Sequence, residues 1–189
     1  MEETEQLLRR VRPHAVSNGR RRDVVGFLEE VLRRELSELR LVGSGSSASR
    51  TYLPVSDVDL VLLAPTPDEK GKGDGSGGGD DVCMRHILSV FRALCLEVAS
   101  ADSSSRSSHV PSPFVIRNVE FVNARTKVVH CLVNNIGVDL TINQAGAISA
   151  AAFIEECDRL VGRDHLLKRS LLLIKVRPWL IIHASCRQL

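Results

Sequence analysis

The sequence predicts an α+β fold: a small mixed sheet flanked by helices. Three observations carry that prediction. Stretches with apolar residues at helical spacing lie at 24–39 and 82–98, short apolar runs lie at 40–43 and 58–64, and three runs rich in β-branched residues follow after 113 with turn signals between them. The chain returns to a helical pattern after Asn143. Strands grouped in this way, with helices before and after them, belong to α+β architectures rather than to a strictly alternating parallel sheet. At 189 residues the chain is long enough for one good-sized domain, or for one domain and part of a second.

The elements follow in order. Residues 1–22 form a basic segment with Arg9, Arg10, Arg12, Arg20, Arg21 and Arg22, punctuated by Pro13 and Gly19. It reads as a solvated helix face and loop; contact with RNA phosphates or a nuclear address is the alternative. Asp23 reads as the N-cap of a helix whose apolar stripe runs through Val24, Phe27, Leu28, Val31 and Leu32, continued by Leu36 and Leu39. "LRLVG" reads as a short strand ending at glycine, and "VDLVLLAP" as a second strand stopped by Pro65. Residues 65–81 are so rich in glycine that ordering them costs more entropy than their few apolar groups return, so they read as a flexible insertion. A helix with Val82, Ile87, Val90, Phe91, Leu94 and Val98 on or near one face comes next. A second loop at 100–113 follows it. "FVIRNVEFV", "KVVHCLV" and "GVDLTIN", separated by "NART" and "NN", read as three neighbouring strands of an antiparallel or mixed sheet. Two helices end the chain, the second starting at Asp164 as N-cap and interrupted by Pro178.

Composition narrows the class. With 43% hydrophobic and 25% charged residues the chain is an ordinary globular protein, and a net charge of +2 argues neither for nor against a nucleic-acid partner. No apolar run approaches the roughly 18 residues of a membrane span. Cys83, Cys95, Cys131, Cys157 and Cys186 contain no C-x-x-C pair and read as reduced, mostly buried thiols of an intracellular protein, nuclear or cytoplasmic.

The chemistry lies in "VGSGSSASRTYLPVSDVDLVLL", residues 42–63. Side chains two apart on a strand share a face, so Asp57 and Asp59 stand together while Val58 and Leu60 turn the other way. Paired carboxylates repel unless a cation lies between them, and magnesium favours one or two carboxylates completed by water and phosphate oxygens. Asp139 sits in a third apolar run. If its strand adjoins that of Asp59, three carboxylates converge, enough for two metal ions and an in-line phosphoryl or nucleotidyl transfer. A Gly-Ser turn at a strand end lets backbone N–H groups approach a triphosphate. His130 reads as a packed histidine and His165 as a surface residue.

These residues resemble the DNA polymerase β-like nucleotidyltransferases, whose pattern is Gly-Ser, a spacer, D-x-D on one strand and a single Asp on a later one. Within them "GSSASRTYLPVSDVDL", "HCLVNNIGVDLTINQAG" and "CDRLVGRDHLLKRSLLLIKV" are similar to non-canonical poly(A) polymerases and terminal uridylyltransferases, above all to plant members with a helical substrate-binding domain. The resemblance implies a nucleotidyltransferase palm over 23–145 and the first helices of a truncated helical domain over 146–189. In relatives ten residues separate Gly-Ser from the first aspartate, which selects Gly45-Ser46 over Gly43-Ser44 as the phosphate turn. Asp57 and Asp59 are then expected to bind Mg2+ (or Mn2+) and the phosphates of an NTP. Asp139 is expected to complete the second metal site and help activate the 3′-hydroxyl of an RNA primer, and Lys175 to contact the triphosphate. The implied reaction is template-independent addition of nucleotides to an RNA 3′ end, AMP first and UMP second, with ATP or UTP and RNA as partners and no membrane. Residues 148–156 hold no counterpart of the Asn-Ser or Asn-Thr pair that touches the ribose in many relatives, and the chain departs from them at "VRPWLIIHASCRQL". The second reading is a palm that binds nucleotide or RNA without turnover.

Overall fold

The computed structural model describes the backbone of residues 2–65, 78–104 and 113–185 and, within them, the side chains outside 78–81, 102–104 and 177–185. The elements run α1 (Glu2–Val11), α2 (Ala15–Glu35), β1 (Arg40–Gly43), α3 (Gly45–Ala48), β2 (Val58–Leu63), α4 (Gly78–Ser104), β3 (Ile116–Asn123), β4 (Lys127–Val133), β5 (Ile136–Ile142), α5 (Ala145–Val161) and α6 (Leu166–Ser185). The five strands make one mixed sheet in the order β1-β2-β5-β4-β3. Only β2 and β5 run parallel; the other neighbours are antiparallel.

Period-two alternation decides which face of the sheet is buried. Val58, Leu60, Val129, Cys131, Val138 and Leu140 turn to one side, where Val24, Leu28 and Val31 of α2 and Ile87, Val90 and Leu94 of α4 close over them. The turn between β4 and β5 is Asn134-Asn135, both at positive φ (49° and 64°), the twist a two-residue hairpin needs and one that asparagine tolerates. A second, smaller apolar cluster joins Leu8 and Val11 of α1 to Leu53 and to Leu172 and Val176 of α6. The two clusters leave the face of the sheet that bears Asp59 and Asp139 uncovered by α2 and α4.

Several expectations change. The second helix starts at Ala15, not at Asp23, with His14 as N-cap accepting from the Ser17 amide at 3.2 Å. The helix runs through Val16, Ser17, Asn18 and Gly19 despite their modest helix propensity, so the periodic stripe after residue 23 marks burial rather than the helix start. Helix α4 reaches into both expected loops, covering Gly78–Asp81 and Ser100–Ser104; residues 66–77 and 105–112 lie outside the described residues. Pro178 does not interrupt α6, which continues to Ser185. Proline removes one N–H from the ladder, at a cost of about 3 kcal/mol, yet the helical backbone runs on past it. Lastly, Cys131 is buried but Cys83, Cys95 and Cys157 are only half-buried; all four are free thiols, and Cys186 lies outside the described residues.

The start of α6 is capped from the preceding helix. Asp164 stands at φ 55° in a left-handed run with Gly162, Arg163 and His165, and its carboxylate accepts from Arg169 instead of from the helix. The cap is Asp158 of α5, which accepts from the Lys168 amide at 3.2 Å and from His165 Nδ1 at 2.7 Å. Burial alone would raise the Asp158 carboxyl, but the His165 bond, the Lys168 amide and the Lys168 charge outweigh it and hold it below the usual carboxylate range. A depressed carboxyl contributes stability that is fully present above its unfolded value near pH 4 and is lost as pH falls through its folded value. Asp158→Ala is expected to lower unfolding stability by about 2 kcal/mol at neutral pH. Asp158→Asn is expected to flatten the acid limb of the stability curve below about pH 4, both read from denaturant melts.

Candidate active site

Asp57 closes the loop before β2, Asp59 is the second residue of that strand, and Asp139 lies on β5. In the parallel register Asp59 stands directly beside Asp139, and Val58 beside Val138. The strand neighbourhood on which convergence depends is therefore present. Asp59 is half-buried. Burial raises its carboxyl first of all and the Asp139 charge next; the Ser46 backbone N–H pulls it down, the Asp57 charge pushes it up and the Lys175 charge pulls it down.

Two glycines make room for these carboxylates. A Cβ on Gly45, which sits at φ 54°, would stand 2.5 Å from Asp59 Oδ2. A Cβ on Gly137 would overlap Asp57 Oδ1 and stand 2.7 Å from its Cγ. Gly45 opens the short helix α3 and Ser46 follows it; Gly43 is the last residue of β1, and the Ser44 amide donates to the Asp59 carbonyl at 2.9 Å, which ties the end of β1 to the D-x-D strand. Gly45, Ser46, Asp57, Asp59 and Asp139 thus surround one spot at the head of β2 and β5. Lys175 stands at its margin: Nζ donates to the Thr51 carbonyl at 2.9 Å, and its pKa is lowered by burial while the Asp59 charge opposes the shift.

The fit to a magnesium ion rests on the donor set. All three side chains are hard oxygen donors, Asp59 and Asp139 on adjoining strands and Asp57 in the loop before β2, and the Asp59 carboxyl is pushed up first by burial and then by the Asp139 and Asp57 charges, which a cation would offset. Among the described residues no three His, Cys, Asp or Glu side chains are already gathered tightly enough to hold a metal by themselves. Magnesium takes one or two carboxylates and completes its shell with water and substrate phosphates.

Two residues at the site do not follow from the sequence reading. Arg21, one of the basic cluster, is only 7% exposed. Its guanidinium donates to the backbone carbonyls of Ser56 and of Asp57 (the latter at 3.1 Å) and lies 4.0 Å over the Tyr52 ring. His130 is not packed in the core: it is Asp139's partner across β4 and β5, with Nδ1 2.7 Å from Asp139 Oδ1. Cys131 faces the core, where burial first and the Asp139 charge second push its thiol up to about 12, which leaves it protonated and inert. Periodicity could have assigned the opposite faces of His130 and Cys131; no signal in the sequence pairs Arg21 with carbonyls thirty-five and thirty-six positions on.

Comparison with known proteins agrees with this geometry. Among solved structures the chain is similar to Cid1 in work on its RNA terminal uridylyl transferase activity, with TM-score 0.67 and 19% identity over 92% of this chain and 43% of Cid1. Cid1 bound to the UTP analogue UMPNPP gives 0.65 and 18% over 92% and 44%, and a cytoplasmic RNA terminal U-transferase gives 0.62 and 19% over 92% and 43%. The chain spans less than half the length of these proteins. The likeness shows the fold: the mixed sheet and its helices are a nucleotidyltransferase palm. No curated protein matches the sequence. Residues 1–156 match the central palm domain of the mitochondrial-like poly(A) RNA polymerases, and the chain belongs to that family.

Proposed function

We propose that the chain is the catalytic palm of a template-independent RNA nucleotidyltransferase that adds AMP, and with second preference UMP, to an RNA 3′ end. The observation that carries the reading is Asp59 beside Asp139 in parallel register, with Asp57 and Asp59 each lying against a glycine that leaves its carboxylate room. Asp57, Asp59 and Asp139 would hold magnesium, which supplies charge neutralisation for the triphosphate and for the attacking oxygen. The primer 3′-hydroxyl, activated by Asp139, loses its proton to solvent as its oxygen bonds to the α-phosphorus, the bond from that phosphorus to the oxygen it shares with the β-phosphate breaks, and pyrophosphate leaves with that oxygen. Gly45 and the Ser46 amide border the phosphates, and Lys175 balances their charge from α6. The family supports adenylyl transfer and the uridylyl-transferring structures with the same fold support the second preference.

The test incubates the purified chain with labelled oligoribonucleotide, Mg2+ and each NTP separately, beside Asp57→Ala. Primer extension with ATP, reduced at least about 10²-fold in the variant, is the expected result. Extension unchanged by the substitution overturns the assignment. NTP-dependent metal binding without extension points to the second reading, a palm that binds without turnover.

A further inference from the structure

A single row of polar side chains crosses the sheet on the face turned away from the core. Register pairs Asp59 with Asp139, Asp139 with His130, and His130 with Glu120. A carboxylate only accepts hydrogen bonds, so the hydrogen of the 2.7 Å contact is on His130 Nδ1 and Asp139 Oδ1 receives it. Among the described residues no hydrogen bond reaches the second oxygen of Asp139. The backbone under His130 is held firmly, because Val129 and Cys131 on either side of it are fully buried in the core. The imidazole itself is 31% exposed, so it is not wedged in place by packing.

We propose that His130 is the positioning residue of the third carboxylate: it grips Asp139 through Oδ1 and presents Oδ2 to the cation. The inference rests on the metal reading of the site. Carboxylate ligands need such a partner because a free carboxyl rotates about its last bond, and ordering it on binding costs affinity. Outer partners of metal ligands change affinity by about 10–100-fold when removed.

The test measures Mn2+ affinity of the full chain by calorimetry with a non-hydrolysable ATP analogue present, for wild type, Asp139→Asn, His130→Ala and His130→Asn. Asparagine keeps an N–H donor where Nδ1 stands. The expected result is Mn2+ affinity reduced about 10–100-fold in His130→Ala and largely restored in His130→Asn. Thermal melts of the two His130 variants should coincide, which separates positioning from folding. Affinity lost in Asp139→Asn but intact in His130→Ala overturns the role of His130 alone. Wild-type affinity retained in Asp139→Asn overturns the metal reading, and the role of His130 with it.

Discussion

Gly137→Ala is expected to cut nucleotide addition by about 10²-fold or more while leaving the fold intact. Gly137 lies on β5 two residues before Asp139, on the same face, and its backbone is not in the left-handed region. The substitution therefore adds no backbone strain, and alanine suits a strand at least as well as glycine. What it adds is one methyl group in the space that Asp57 occupies, 2.7 Å from the Asp57 Cγ. The carboxylate must swing aside or the loop before β2 must retreat, by about the 1 Å that separates this distance from ordinary contact, and a displacement of that size at a reaction centre is worth about 10²-fold. Primer extension and Mn2+ affinity should fall together, with the melting midpoint within a few degrees of wild type. Gly45→Ala offers a contrast: at φ 54° it combines the clash against Asp59 with a backbone penalty of about 1 kcal/mol, so both activity and stability should drop. Wild-type turnover in Gly137→Ala would place Asp57 outside the reaction centre.

The fold was legible because its signals are local. Alternation in "GVDLTIN", the "NN" turn and the glycine closing "LRLVG" each depend on residues within a few positions, and β1 to β5 lie where those patterns put them. The strand placement of Asp59 was legible for the same reason, whereas Asp57 lies in the loop before β2, outside the alternation that paired the two. Asp139 was legible only conditionally, because its approach to Asp59 depends on β2 and β5 being parallel neighbours, which is a fact of register across eighty positions. Interactions that join side chain to distant backbone leave no local trace. Asp158 caps α6 from ten positions upstream while Asp164, the local candidate, turns to Arg169. Arg21 looked like one more solvated cation because its partners are carbonyls, which every residue has. The basic cluster is thus divided in structure: Arg12, Arg20 and Arg22 are exposed, and Arg21 between the last two is buried.

Arg21→Ala is expected to destabilise the protein by about 3 kcal/mol, lowering the melting midpoint by roughly 6–12 °C, and to impair the site beyond what the lost stability explains. Each hydrogen bond from a charged donor is worth about 1.5–3 kcal/mol and the stacking on Tyr52 about 0.5–2 kcal/mol, and the contributions overlap because one side chain makes them all. Removing the guanidinium takes this donor from the Ser56 carbonyl and leaves the Asp57 carbonyl with the Ser47 hydroxyl, 3.3 Å away. Tyr52 remains anchored, since its hydroxyl bonds to Ser17 and Asn18 of α2, and Ser56 stays bonded to Leu53, so what the loop loses is its tie to α2 at Ser56 and Asp57. The freed segment is the one that carries Asp57, the first carboxylate of the proposed metal site. Activity measured well below both melting midpoints should therefore fall further than the folded fraction does. Arg21→Lys separates charge from geometry: an ammonium keeps the positive charge near Asp57 and Asp59 but cannot serve two carbonyls while stacking flat on the ring. If the lysine variant restores turnover fully, Arg21 acts by its charge; if turnover stays low at near-wild-type stability, the planar fork that fixes the loop is what the site requires.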